Sequence, residues 1–149
     1  MVTGQADVQI NVPLDQVFQF IVADFERNYR RWSPEVQQLE MLTPGPLRVG
    51  SRARQVRVDQ GRRSDTVFRV IALQPPTRVC FAEKSDQFMS DYCLKALGDQ
   101  TQLHFAFTLN RMEFYMRPFE KLIRVAIQEG ANRAVRNIKS LIERDANGA

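Results

Sequence analysis

Few residues of this chain have the type and spacing to do chemistry. His104 is the only histidine. It sits in an alternating run, Leu103, Phe105, Phe107 and Leu109 against Gln102, His104, Ala106 and Thr108. A period of two puts it on the outer, polar side of a strand. Cys80 and Cys93 lie inside strand-like runs without metal-ligand spacing. They read as free buried thiols, and the chain needs no disulfide. With one histidine, two separated cysteines and no carboxylate cluster, neither a metal site nor a cofactor is expected. There is no glycine-rich phosphate loop and no Gly-x-Ser-x-Gly. What remains is a small polar set on faces expected to point inward: Gln55, Thr66, Ser90 and Tyr92. A few oriented polar groups among apolar walls are what a small-molecule pocket uses. Each can equally be a core group hydrogen-bonded to a neighbour. For catalysis the one candidate is Tyr92 as an acid, with Arg57 or Glu113 beside it.

Those residues depend on a run of strands. Ala6 to Val12 alternates as a half-buried strand, and Pro13 opens a short helix over Leu14 to Ala23. A second short helix, Phe25 to Trp32, stops at Ser33-Pro34. Val36 to Leu42 is a strand, followed by the Thr43-Pro44-Gly45-Pro46 turn. Ser51 to Val58 and Arg63 to Leu73 flank Asp59-Gln60-Gly61-Arg62, a hairpin signal. With Gln60-Gly61 as the loop, Asp59 faces Arg62, Gln55 faces Thr66 and Ala53 faces Phe68. Ala53, Gln55, Thr66, Phe68 and Val70 then share one face, and Arg54, Val56, Asp65 and Val67 the other. Thr77 to Glu83, Phe88 to Leu97 and Thr101 to Leu109 complete the strands, the last two joined at Gly98-Asp99. Phe88, Ser90, Tyr92 and Leu94 face one way, Met89, Asp91, Cys93 and Lys95 the other. Asn110 to Arg117 reads as an aromatic loop suited to a flap or a core cap.

One long helix is expected from Pro118 to Arg144, with a frayed tail after it. Its apolar stripe includes Phe119, Leu122, Ile123, Ala126, Ile127, Gly130, Ala131, Ala134, Val135, Ile138, Leu141 and Ile142. A stripe of that length must lie on a sheet. Its centre, Ala126, Gly130, Ala131 and Ala134, is small. Close packing explains this, and so does room left for a cavity. Glycine in a helix interior costs about 1 kcal/mol relative to alanine, so Gly130 requires one reason or the other.

The 149 residues suit one domain, 1–149, with a core over about 5–144. Apolar content of 44% is ordinary for a water-soluble chain. No window resembles a membrane span or a secretory signal, so a cytoplasmic setting without stable membrane insertion is expected. Net charge is +4, and Arg48, Arg52, Arg54, Arg57, Arg62 and Arg63 crowd one hairpin. No nucleic-acid motif accompanies them, so they read as a solvated outer face and nucleic acid is not an expected partner.

Several stretches carry a resemblance. Val12-Pro13-Leu14-Asp15-Gln16-Val17-Phe18, Tyr29 to Val36, Thr43 to Arg52 and Leu73 to Val79 resemble the corresponding turns of the START/Bet v 1-like helix-grip superfamily, in its polyketide cyclase/dehydrase-like branch. The likeness covers nearly the whole chain. It implies an α+β helix-grip fold: a curved antiparallel sheet of six or seven strands wrapped around a long C-terminal helix, with two short helices after the first strand. It also implies a cavity between sheet and helix for a hydrophobic small molecule, a lipid or a polyketide-like compound. The residues placed there are Trp32, Ala53, Gln55, Thr66, Phe68, Val70, Val79, Phe81, Phe88, Ser90, Tyr92, Leu103, Phe105, Phe107, Ile123, Ala126, Ile127, Gly130, Ala131 and Ala134. The family hosts both carriers and cyclases, so binding or transport stands first and a cyclase/dehydratase second. A protein-interaction module using the arginine-rich face is third, and a core filled by Phe68, Phe105 and Phe107 that binds nothing is fourth. Whether the chain is a monomer or a dimer is left open.

Overall fold

The computed structural model describes residues 1–148. Seven strands form one antiparallel sheet: β1 (Val2–Ile10), β2 (Val36–Met41), β3 (Arg52–Asp59), β4 (Arg62–Gln74), β5 (Arg78–Glu83), β6 (Phe88–Leu97) and β7 (Gln100–Leu109). Their order across the sheet is β1-β7-β6-β5-β4-β3-β2. Every consecutive pair from β2 onward is a neighbour, as short turns require. The β3–β4 register is the expected one, Asp59 opposite Arg62, Gln55 opposite Thr66 and Ala53 opposite Phe68. Gln60 and Gly61 both have positive φ, 52° and 84°, the turn that matches strand twist. Register shifts between Val36 and Gln38 and between Val70 and Ala72 bend the sheet.

Between β1 and β2 come α1 (Leu14–Phe18), a π-helical turn (Gln19–Ala23) and α2 (Phe25–Trp32). The single helix expected over Leu14 to Ala23 is thus split. The wide turn buries three consecutive residues, Phe20, Ile21 and Val22, which a regular helix would splay apart. Buried Asn28 donates through Nδ2 to the Phe20 carbonyl at 3.0 Å, satisfying a group near that turn.

After β7, a 3₁₀ turn (Phe114–Phe119) leads into α3 (Glu120–Gly148). Two boundaries differ from expectation. Pro118 lies in the 3₁₀ turn, and the tail after Arg144 is helical, with Asp145 held by Arg31 at 3.0 Å. The first strand likewise starts at Val2 rather than Ala6 and stops at Ile10.

α3 is tied to the β1 edge. A Cβ added to Gly4 would lie 2.7 Å from the Ile127 carbonyl oxygen, so only glycine allows strand and helix to approach this closely. Side chains of α3 also take backbone groups of β1. Gln128 Nε2 donates to the Gln5 carbonyl (2.8 Å), Lys139 Nζ to the Gln9 carbonyl (2.6 Å), and the Asn11 N–H donates to Glu143 Oε2 (2.8 Å). An edge strand is thereby closed to further pairing.

Only the second half of the stripe is buried: Ala131, Val135, Ile138, Leu141 and Ile142. Phe119, Leu122 and Ala126, expected on the covered face, are exposed. The first turn of the helix is mostly exposed, with only Ile123 half-buried.

Candidate functional site

The concave face of the sheet is read best in rows, since residues directly opposite share a face. One row runs Gly4, Phe107, Ser90, Phe81, Val70 from β1 to β4. The next runs Ala6, Phe105, Tyr92, Val79. Towards β3, Phe68 lies beside Ala53 and Thr66 beside Gln55.

α2 fills one side of this concavity. Phe25 stacks on Phe81 with ring centroids 4.9 Å apart and stands edge-on to Phe68 at 6.1 Å. Tyr29 reaches Phe68 and Trp32 at 6.0 and 5.5 Å. Trp32 meets Tyr92 at 6.0 Å, and Tyr92 meets Phe105 at 4.8 Å. The periodicity behind this is Phe25, Tyr29, Trp32 on one helix face. Burying that much aromatic surface supplies a large share of core stability.

A polar group sits within the aromatic wall. The Tyr29 hydroxyl donates to Gln55 Oε1 at 2.8 Å. Arg57 approaches the Tyr29 hydroxyl and Ser33 Oγ, each at 3.5 Å, while its other nitrogens clasp Asp59 at 3.0 Å. Burial alone would pull the Arg57 guanidinium down, but Asp59 and the neighbouring Tyr29 and Glu35 hold it above its usual value. Burial raises the Tyr29 phenol, and Arg57 partly opposes that. Trp32 Nε1 donates to the Tyr92 hydroxyl at 3.4 Å. Burial, then proximity to Tyr29, push the Tyr92 phenol well above the ordinary range. Both phenols are therefore neutral at physiological pH: they can offer a proton but cannot act as bases.

The catalytic grouping expected from sequence is not assembled. Arg57 spends its hydrogen bonds on Asp59, Tyr29 and Ser33 rather than on Tyr92, and Glu113 is exposed at the start of the 3₁₀ turn. Arg57 is also not part of the outer arginine face, because residues 53, 55 and 57 point inward together. On the outer face Arg54 is paired with Asp65 at 2.6 Å. His104 is outside as expected, at 2.8 Å from Asp7. Both cysteines are free thiols, and burial, reinforced by Asp91, pushes Cys80 up to about 11.

Of the residues expected to line a cavity, Trp32, Ala53, Phe68, Val70, Val79, Phe81, Tyr92, Leu103, Phe105 and Ala131 are buried in the core. Gln55, Thr66, Phe88, Ser90, Phe107, Ile123, Ile127, Gly130 and Ala134 remain partly open, and Ala126 is fully at the surface. The open members form two groups, Thr66 with Gln55 towards β3, and a second beside α3. There Phe88 and Phe107 lean together at 5.6 Å. Ile127 rests on Gly4, whose row neighbour is Phe107. Gly130 stands between exposed Ala126 and Ala134, which packs against the core. A Cβ added at Gly130 meets nothing within 4 Å. Close packing is therefore not why this position is small. Phe107, Ser90 and Phe88 are half-exposed on the concave face of the sheet, and Gly130 has open space beside it on α3. Two surface hollows lie elsewhere: about 200 Å³ against Gln38, Leu39, Glu40, Arg54 and Val56, and about 430 Å³ between Met1, Asn110, Arg111, Met112, Arg117 and Glu120.

Sequence reasoning missed Tyr29 and undervalued Arg57. Both had a signal: Tyr29 falls on the Phe25–Trp32 face, and Arg57 is two residues beyond inward-facing Gln55.

Comparison with known proteins places this architecture. Solved structures share it across almost the whole chain at low identity. TTHA0849 from Thermus thermophilus is 16% identical, with a TM-score of 0.79 over 97% of this chain and 99% of that one. The Zhui aromatase/cyclase from Streptomyces sp. R1128 is 14% identical, with a TM-score of 0.78 over 97% and 95%. A START superfamily protein from Mycobacterium smegmatis is 15% identical, with a TM-score of 0.72 over 95% and 97%. No curated protein sequence matches the chain. The family described as polyketide cyclase/dehydrase and lipid transport matches residues 1–143. With that match spanning all seven strands and most of α3, the chain belongs to the polyketide cyclase/dehydrase and lipid transport family.

Proposed function

We propose that this protein binds and carries a hydrophobic small molecule, a lipid or a polyketide-like compound, in the groove between α3 and the concave face of the sheet. One observation carries the reading: a Cβ at Gly130 would meet only open space, and Phe88, Ser90 and Phe107 on the concave face are left half-exposed rather than sealed into the core. An apolar floor with a few polar groups at its edge suits a hydrophobic ligand bearing an oxygen function. The reading fits the family's range, which includes lipid transport.

Native mass spectrometry of the purified chain, followed by organic extraction, tests it. A discrete added mass that leaves on denaturation supports the reading. A clean apo mass, with no uptake of fatty acids or polycyclic aromatics, overturns it.

A second reading, cyclisation or dehydration of a polyketide-like substrate, draws on the neutral Tyr29 phenol set between Gln55 and Arg57. The extracted molecule separates the two. Returned unchanged after incubation, it marks a carrier; returned with a new ring or a loss of water, it marks an enzyme.

A further inference from the structure

The β3–β4 hairpin, the β5–β6 loop and the segment before α3 all emerge at one end of the sheet, because the strands alternate in direction. That end is unusually apolar. Phe114 and Tyr115 are 84% and 64% exposed, and Phe119, Leu122 and Val125 are 57%, 69% and 56% exposed. Phe119, the last residue of the 3₁₀ turn, is three residues before Leu122 in the first turn of α3. Exposed apolar groups this close together mark a surface that something covers.

The charges around the patch indicate what. Most carboxylates near this end are already engaged: Asp59 by Arg57, Asp65 by Arg54, Asp86 by Arg69 and Glu120 by Arg124. Arg62, Arg63, Lys84, Arg111, Arg117 and Lys121 are exposed, and none of them forms an ion pair among the described residues. Against these six cations, Glu83, Glu113 and Glu129 are the carboxylates near this end that form no ion pair among the described residues. A second copy of the chain would bring the same cations face to face, which disfavours self-association. We propose that this end docks peripherally on an anionic phospholipid membrane, with Phe114, Tyr115 and Leu122 entering the boundary between headgroups and acyl chains and the cations facing the phosphates. No helix among the described residues is long and apolar enough to cross a membrane, so the contact is interfacial. This goes beyond ligand binding and holds whether or not the groove is occupied.

The test is co-sedimentation of the full chain with phosphatidylcholine vesicles, with and without phosphatidylglycerol, at low and high salt. Binding is expected only to the anionic vesicles and should weaken with salt. Phe114→Ser with Leu122→Ser should lower partitioning about tenfold or more, as two inserted side chains are lost. Arg117→Gln and Lys121→Gln should each lower it about fivefold. All four positions are exposed, so unchanged melting serves as the folding control. Three results would overturn the proposal. One is no binding to anionic vesicles at low salt. Another is binding that the Phe114/Leu122 variant leaves intact. The third is a dimer in analytical ultracentrifugation that this variant dissolves.

Discussion

Gly4 and Gly130 give the sharpest test of the geometry, because one chemical change should have opposite effects at the two sites. At Gly4 the added methyl would sit 2.7 Å from the Ile127 carbonyl oxygen and 2.8 Å from Ile127 Cγ2. Ordinary contact begins at 3.4 Å, so strand and helix must separate by 3.4 minus 2.7, or 0.7 Å. The main obstacle is backbone, which cannot rotate away. Nearby lies the Gln128–Gln5 bond at 2.8 Å, which that movement would stretch. Overpacking of this kind costs about 1–3 kcal/mol. At Gly130 the methyl meets nothing within 4 Å, so the effect reduces to helix propensity, a gain of about 1 kcal/mol. In a chain of this size each kcal/mol moves the melting temperature by roughly 2–4 °C. Gly130→Ala should therefore melt a few degrees higher than wild type, and Gly4→Ala should melt lower by a similar or larger margin. Differential scanning calorimetry of the two variants beside wild type decides it. A Gly130→Ala variant that melts lower would mean that the methyl is pressed against a neighbour. The helix would then close on the sheet, and the groove and the binding reading would fail together. Gly130→Leu extends the test, since it should abolish ligand uptake while leaving the fold stable.

Two other predictions concern the polar contacts. Burial pushes the Glu143 carboxyl up, but Lys139 and the Asn11 N–H outweigh it and hold it below its usual 4.5. A depressed folded-state value means that its stabilisation is fully present above pH 4.5 and is lost as pH falls through the folded value. Glu143→Gln should thus flatten the acid side of a melting-temperature profile, and an unchanged slope would count against the seam between α3 and β1. Tyr29→Phe removes the donor to Gln55 Oε1 and leaves that oxygen half-buried and unpaired. The cost should be about 1–2 kcal/mol, seen as a lower urea midpoint with an unchanged m-value. A midpoint equal to wild type would show that water replaces the bond and that this group is already wet.

The fold was legible because its signals are local. Gln60-Gly61 specifies a two-residue turn, and a two-residue turn dictates which residues oppose one another. The Asp59–Arg62 register and the shared face of Ala53, Gln55, Thr66 and Phe68 follow from it. The same alternation runs back past Ala6 to the start of β1. Val2 and Gly4 continue the inward series of Ala6, Val8 and Ile10, and a glycine at an inward position is the mark of a close backbone approach. The site was less legible because it depends on where partner surfaces end. Leu122 and Leu141 are both apolar and both in the stripe, yet one is solvent-exposed and the other is in the core. The difference is that the core covers the second and not the first. Helical periodicity reports the direction of a side chain but not the extent of what it faces. That is why Gly130 and Ala131, adjacent and equally small, have different roles. Ala131 is small at a position buried in the core, whereas Gly130 is small with space to spare. In this chain the apolar stripe outruns what covers it, leaving Phe119 and Leu122 exposed. Those exposed first turns of α3 are the ones that the proposed membrane contact uses.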